Sequence, residues 1–274
     1  MADKLLDKIK EKKLSLGLVE VLDSPEAVET LAFAGMDWVC IDMMFTSTDW
    51  NRAAHMVRAA RAAGTTPLIR VPCNPWATKG NDLHLAVDIT RAFGINATGV
   101  VFSPNTTREV EIAIEVGKDW HHSIHIVRFA DAVNKFTKTE EEIAAETVVM
   151  PLIEGEDSVR NVADLLSVDG LKTACLAITD ASRMLGHPLQ YEHPEVWRWI
   201  DKAANAAEKH GVVLGGNTGY QFQTAVDIAK RIKRLYDHGI RIVLIQTSGA
   251  LLQFFCRDII RSAISEVGEK SSKG

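Results

Sequence analysis

The chain has 274 residues, the usual span of one α/β barrel, and its 46% hydrophobic and 24% charged residues give the balance of an ordinary globular protein. A net charge of −5 argues against a nucleic-acid backbone as partner, which needs a basic surface, but leaves an anionic small molecule open, because local charge decides that. No apolar run approaches the roughly 18 residues of a membrane span, the opening MADKLLDKIKEKK has no apolar core of signal-peptide length, and Cys40, Cys73, Cys175 and Cys256 form no CxxC pair, so a cytoplasmic, reducing location is expected.

Short β-rich runs alternate with amphipathic helical stretches from end to end. The first strand is expected at 14–22 (LSLGLVEVL), followed by a helix over 25–34 that Ser24 caps and Pro25 opens. Strand 37–43 (DWVCIDM) leads to helix 51–63, which Gly64 should stop. Strands 66–71 (TPLIRV) and 98–103 (TGVVFS) follow, the latter leading to helix 107–117. Residues 118–147 are too long for a plain connection. They form an insertion suited to a lid or a pocket wall, in which 123–129 (SIHIVRF) could add a strand. Strand 148–153 (VVMPLI), helix 156–166 and strand 173–179 (TACLAIT) come next. The turn-rich stretch 183–194 then leads to helix 194–209, strand 211–216, helix 222–238, strand 241–246 and a final apolar helix over about 249–265. Nearly continuous apolar strands mean parallel pairing with both faces buried, and Cys40 and Cys175 are read as buried thiols within them.

Such a repeat builds either a closed (β/α)8 TIM barrel or an open doubly wound sheet. Length and repeat count favour the barrel, as a single domain over 1–274, and no G-x-G-x-x-G follows the first strand to suggest a dinucleotide. A barrel places its chemistry at the C-terminal ends of its strands. That rule selects Asp42, Arg70, Ser103, Glu154, Asp180, Asn217 and Gln246-Thr247. Glu154 and Asp180 come from neighbouring strands and suit a hard divalent cation, although either alone could be a helix cap. Arg70 could be a buried ion-pair partner, or a planar fork for a substrate carboxylate.

At these residues the sequence resembles the HpcH/HpaI family of class II, metal-dependent pyruvate aldolases, the group of 4-hydroxy-2-oxoheptanedioate and 2-dehydro-3-deoxyglucarate aldolases. The matching pieces are SPEAVETLAFAGMDWVCIDM, RAARAAGTTPLIRVP, PLIEGEDSVRNVADLLSVDGL and MLGHPLQYEHPEV, in that order, between about Gly17 and Ala263. The resemblance implies a barrel of the phosphoenolpyruvate/pyruvate-binding type. It implies Mg2+, Mn2+ or Co2+ on Glu154 and Asp180, and a small 2-oxo acid held by Arg70, which steadies the enolate. It also implies a homo-oligomer, trimer or hexamer, whose last helix packs on a neighbouring subunit.

The sequence departs from the family at the second strand. The family reads I-D-x-E-H-G there and uses its histidine to move protons. This chain reads Ile41-Asp42-Met43-Met44-Phe45-Thr46, so Phe45 stands in the place of that histidine and carries no transferable proton. The aspartate that pairs with the histidine has only a displaced candidate, Asp88. His84, His121, His122 and His125 are alternative bases, each more ordinarily a surface residue. His187 and His193 read as turn and helix-start residues. Met44 and Phe45 make that wall apolar, which suits a more hydrophobic partner than a sugar aldehyde. The expected reaction is carbon–carbon lysis of a 2-oxo acid through a pyruvate enolate, with Arg70 and Asp42 as catalytic candidates and Arg70, Phe45 and Asn217 as substrate contacts. Decarboxylation of a 2-oxo diacid, enolate addition to another acceptor, and a barrel that only binds a ligand are the alternatives.

Overall fold

The computed structural model describes residues 4–72, 82–122, 146–219 and 224–268, with backbone alone at 119–122. Its eight parallel strands close into a barrel in sequence order. They are β1 (Ser15–Glu20), β2 (Trp38–Asp42), β3 (Thr66–Arg70), β4 (Gly99–Phe102), β5 (Val148–Ile153), β6 (Thr173–Leu176), β7 (Val213–Asn217) and β8 (Ile242–Thr247). A short helix α1 (Lys4–Lys10) precedes them. The surrounding helices are α2 (Pro25–Phe33), α3 (Trp50–Ala63), α4 (Asp82–Gly94), α5 (Thr107–His122), α6 (Glu156–Arg160), α7 (Val162–Leu166), α8 (Ile178–Met184), α9 (Pro194–His210), α10 (Ala225–Asp237) and α11 (Ser248–Glu266). This is the (β/α)8 barrel that the alternation of strands and helices predicts. Among the described residues no helix is long and apolar enough to cross a membrane.

Strand alternation sorts the apolar residues into two cores. One fills the barrel and contains Val19, Trp38, Cys40, Leu68, Val101, Met150, Cys175, Val213 and Ile242. The other lies between sheet and helices and contains Val39, Ile41, Ile69, Val100, Ile153 and Leu214. The alternation that puts Trp38 and Cys40 inside also puts Asp42 inside one step later. In the same way Leu68 leads to Arg70, and Val101 leads to Ser103. The polar residues at the C-terminal mouth are therefore the continuation of the apolar rows beneath them.

The opposite end is closed. Trp38 is 1% exposed, and a Cβ at Gly17 would meet its ring at 2.2 Å, so glycine is what lets this indole lie across the barrel floor. Beneath it α1 inserts the fully buried Leu5, whose backbone N–H donates to Thr66 Oγ1 at 3.1 Å. Lys8 holds α1 in place through a 2.6 Å bridge to Asp37.

Helix starts follow local chemistry: Ser24 caps α2 ahead of Pro25, and Gly64, at φ 77°, ends α3. Three boundaries differ from expectation. β6 stops at Leu176, and the chain is helical again from Ile178, so Asp180 lies in the first turn of α8 and not in a loop. The helix expected at 156–166 breaks at Asn161, whose φ/ψ of −102°/29° is not helical. Helix α5 runs on to His122, into the expected insertion. The strand proposed at 123–129, His125, Cys73 and the start of the helix expected from 222 lie outside the described residues.

Candidate active site

Arg70 ends β3 and is register-paired with Asp42 at the end of β2. Its guanidinium lies between two carboxylates. Nη2 donates to Glu154 Oε1 at 3.0 Å and Oε2 at 3.2 Å, and Nη1 lies 3.7 Å from Asp42 Oδ2. Its flat face lies under the Phe45 ring, with Cζ 4.9 Å from the ring centroid. Arg70 Nε is buried and has no hydrogen-bond partner among the described residues.

Glu154 follows β5 and is 3% exposed. Besides Arg70, it accepts a 2.5 Å hydrogen bond from the Ser103 hydroxyl at the end of β4. Burial pushes its carboxyl above the usual range. The Arg70 charge and the Ser103 hydroxyl oppose that rise, and the negative charge of Asp180 adds to it. Asp180 is raised as well, first by burial, against the attraction of Arg183 and Arg70. The charge of Arg70 thus acts on both carboxyls, and that of Asp180 acts on Glu154.

The candidate donors are all oxygen: the Glu154 and Asp180 carboxyls and the Ser103 hydroxyl. Burial disfavours the charged form of both carboxyls, and the charge of Asp180 adds to that effect on Glu154, so a bound dication would favour their ionised forms. Oxygen donors of this kind fit a hard cation such as Mg2+ or Mn2+.

Asp42 is committed to the loop that follows it. Oδ1 accepts from Met44 N at 2.7 Å and Phe45 N at 3.1 Å, and the Thr46 hydroxyl donates to the Asp42 carbonyl. Its geometry is that of a positioning group.

Asn217, at the inward end of β7, also serves a neighbour. Its Oδ1 accepts from Ile178 N at 2.8 Å, and its Nδ2 donates to Thr179 Oγ1 at 3.0 Å. Ala177, the residue before α8, has no capping side chain. Asn217 therefore supplies the cap from the next strand and fixes the turn that carries Asp180. Both ends of its amide are thus engaged within the protein.

Sequence reasoning underrated Ser103. It named the residue by its place at a strand end but gave it no role, because its partner is 51 residues away. Gln246, also named by place alone, donates from Nε2 to the Gly219 carbonyl and leaves its buried Oε1 without a hydrogen-bond partner among the described residues.

The other candidate bases are placed as follows. Asp88 is on α4 in an ion pair with Arg91 at 4.0 Å, and His84 is exposed on the same helix. His121 and His122 lie in the last turn of α5. His193 caps α9 by accepting from Glu195 N at 3.2 Å, and His187 reaches Glu195 Oε2 at 2.5 Å, as befits a turn and helix start. Cys40 and Cys175 are buried, and burial pushes the Cys175 thiol up to about 12.

The family model for HpcH/HpaI aldolase/citrate lyase matches residues 16–231. The chain belongs to the HpcH/HpaI family. A curated relative, 5-keto-4-deoxy-D-glucarate aldolase of Escherichia coli (strain K12), is 24% identical over 208 residues, covering 74% of this chain and 77% of that protein. Solved structures share the fold. An HpcH/HpaI aldolase from Desulfitobacterium hafniense DCB-2 superposes with a TM-score of 0.74 at 22% identity, covering 96% of this chain and 97% of the other. The citrate synthase SbnG gives 0.75 at 19% identity, covering 97% and 99%. Macrophomate synthase gives 0.69 at 20% identity, covering 96% and 88%.

Proposed function

We propose that this HpcH/HpaI protein is a divalent-metal-dependent carbon–carbon lyase that cleaves, or in reverse forms, a 4-hydroxy-2-oxo acid through a pyruvate enolate. The observation that carries the reading is the cluster of Arg70, Glu154, Ser103 and Asp180, with a guanidinium set between acidic groups at the barrel mouth. Glu154 and Asp180 would hold the metal ion, which when bound supplies Lewis-acid stabilisation of negative charge on oxygen.

The chain's own groups do the rest. Arg70 binds the oxo-acid end and offers fixed positive charge to the developing oxyanion. Asp42 keeps that guanidinium in place. Asn217 keeps the Asp180 turn in place. In cleavage the C3–C4 bond breaks and its electron pair passes to C3, which takes up a proton to give pyruvate. The C4 hydroxyl loses its proton and becomes the aldehyde carbonyl. The relative from Escherichia coli is named as an aldolase, which supports this class.

The last helix supports a homo-oligomer. Along α11, Leu252, Phe255, Ile259 and Ile260 are all more than half exposed, the surface expected of a helix that packs on a second copy.

The test is α-proton exchange of pyruvate in D2O, followed by NMR with Mg2+, Mn2+ or Co2+ and no aldehyde. Exchange should depend on the metal and be lost in Glu154→Gln and Asp180→Asn. No exchange with any of the three ions would overturn the reading. Phe45, which can move no proton, favours a second reaction at the same site, loss of carbon dioxide from a 2-oxo diacid. Consumption of oxaloacetate without any aldehyde would identify it.

A further inference from the structure

Among the described residues, the Phe45 ring lies over the Arg70 guanidinium and is open to solvent. Phe45 is 60% exposed, and a single exposed apolar side chain is ordinary on a protein surface. Its anchoring is not ordinary. Its backbone N–H and that of Met44 are both held by Asp42 Oδ1. The next residue, Thr46, is tied to the Asp42 carbonyl and, at 3.0 Å, to Thr48, which in turn donates to Asp23 Oδ1 at 2.8 Å. The same aspartate that flanks Arg70 thus sets where the ring stands. One side of the ring meets the guanidinium at 4.9 Å, and the remainder faces solvent.

We propose that Phe45 is the specificity-determining residue for the second reactant, and that this reactant is a flat, apolar aldehyde of the aryl or alkenyl class. The proposal rests on the oxo-acid reading of the cluster. With the edges of the guanidinium taken by Glu154 and Asp42, a carbonyl compound approaching an oxo acid held there passes over the exposed part of the ring. The ring has no donor or acceptor to offer. A polyhydroxylated aldehyde would give up hydrogen bonds to water there and gain none, whereas a planar apolar one covers the ring in offset stacking. The substrate in the cleavage direction would be a 4-aryl- or 4-alkenyl-4-hydroxy-2-oxo acid. Its C3–C4 bond breaks to give the aldehyde, with the hydroxyl proton released, and pyruvate, with a proton gained at C3.

The experiment uses the full chain with Mn2+ and pyruvate and measures kcat/KM for benzaldehyde and glyceraldehyde on the same preparations. The unsubstituted protein should prefer benzaldehyde. Phe45→Ala should shrink the benzaldehyde-to-glyceraldehyde ratio by about tenfold or more, and Phe45→His should move it the same way. A ratio is read because a general loss of activity or folding cancels in it. Preference for glyceraldehyde in the unsubstituted protein, or a ratio unmoved in Phe45→Ala, overturns the proposal. Pyruvate exchange without aldehyde separates the two levels: exchange with an unmoved ratio overturns the role of Phe45 alone, and no exchange overturns the oxo-acid reading and this one with it.

Discussion

At the scale of single residues, the cluster makes Ser103 a sharper test of the site than its size suggests. Its hydroxyl is a donor to a buried carboxylate, and groups that orient a metal ligand in this way are worth about ten- to a hundredfold in metal affinity. Ser103→Ala should weaken Mn2+ binding by about tenfold, read by calorimetry, while the fold melts normally. Unchanged affinity would mark the contact as incidental. A second residue-scale prediction concerns Glu20 at the end of β1. It is 1% exposed, and burial raises its carboxyl above the usual range against the pull of the Ser248 hydroxyl and the Leu22 N–H. A folded value above the unfolded one means that the folded state holds the proton more tightly. The contribution is complete below the unfolded pKa, near 4.3 in model peptides, and is lost as pH climbs through the raised value. Glu20→Gln should therefore melt higher than the unsubstituted protein at neutral pH, with the gap closing on acidification. A gap independent of pH would contradict that sign. Ser103 meets a partner 51 residues away, so sequence reading named its position without the contact, and Glu20 it did not single out.

Among the elements, α8 depends on a side chain that is not its own. Asn217 sits 39 residues away on β7 and supplies the oxygen that the first turn lacks. Loss of a capping side chain costs about 0.5–2 kcal/mol, so Asn217→Ala should lower stability by that order in denaturant titration. It should also weaken metal binding through misplacement of Asp180, an effect that Thr179→Ala should show more weakly. Metal affinity equal to that of the unsubstituted protein would confine Asn217 to folding. This dependence also explains a boundary that sequence reading missed. The run 173–179 is apolar enough to continue as a strand, but the chain turns helical at Ile178, whose N–H donates to the Asn217 amide oxygen across the sheet. By contrast the eight strands were legible because parallel strands buried on both faces must be apolar along their whole length. The positions of Glu154 and Arg70 at the barrel mouth were legible because each stands where an apolar strand run ends.

For the molecule as a whole, α11 contacts the barrel mainly through β1 and β8 and leaves most of its 19 residues in solvent. Phe255 is 64% and Ile259 56% exposed, so a Phe255→Asp, Ile259→Asp double variant should fall to a smaller mass in analytical ultracentrifugation. A monomer in both forms would remove the helix as an association surface. The closed floor has a different reach. Leu5 and the Trp38 indole fill one end of the barrel, so a ligand at Arg70 would be approached from the mouth, and whatever lodged deepest would depart last. Pyruvate held at Arg70 would then wait behind the aldehyde at every turnover. On the proposed reaction, release would then be ordered: pyruvate would compete with the substrate, and the aldehyde would inhibit without competing.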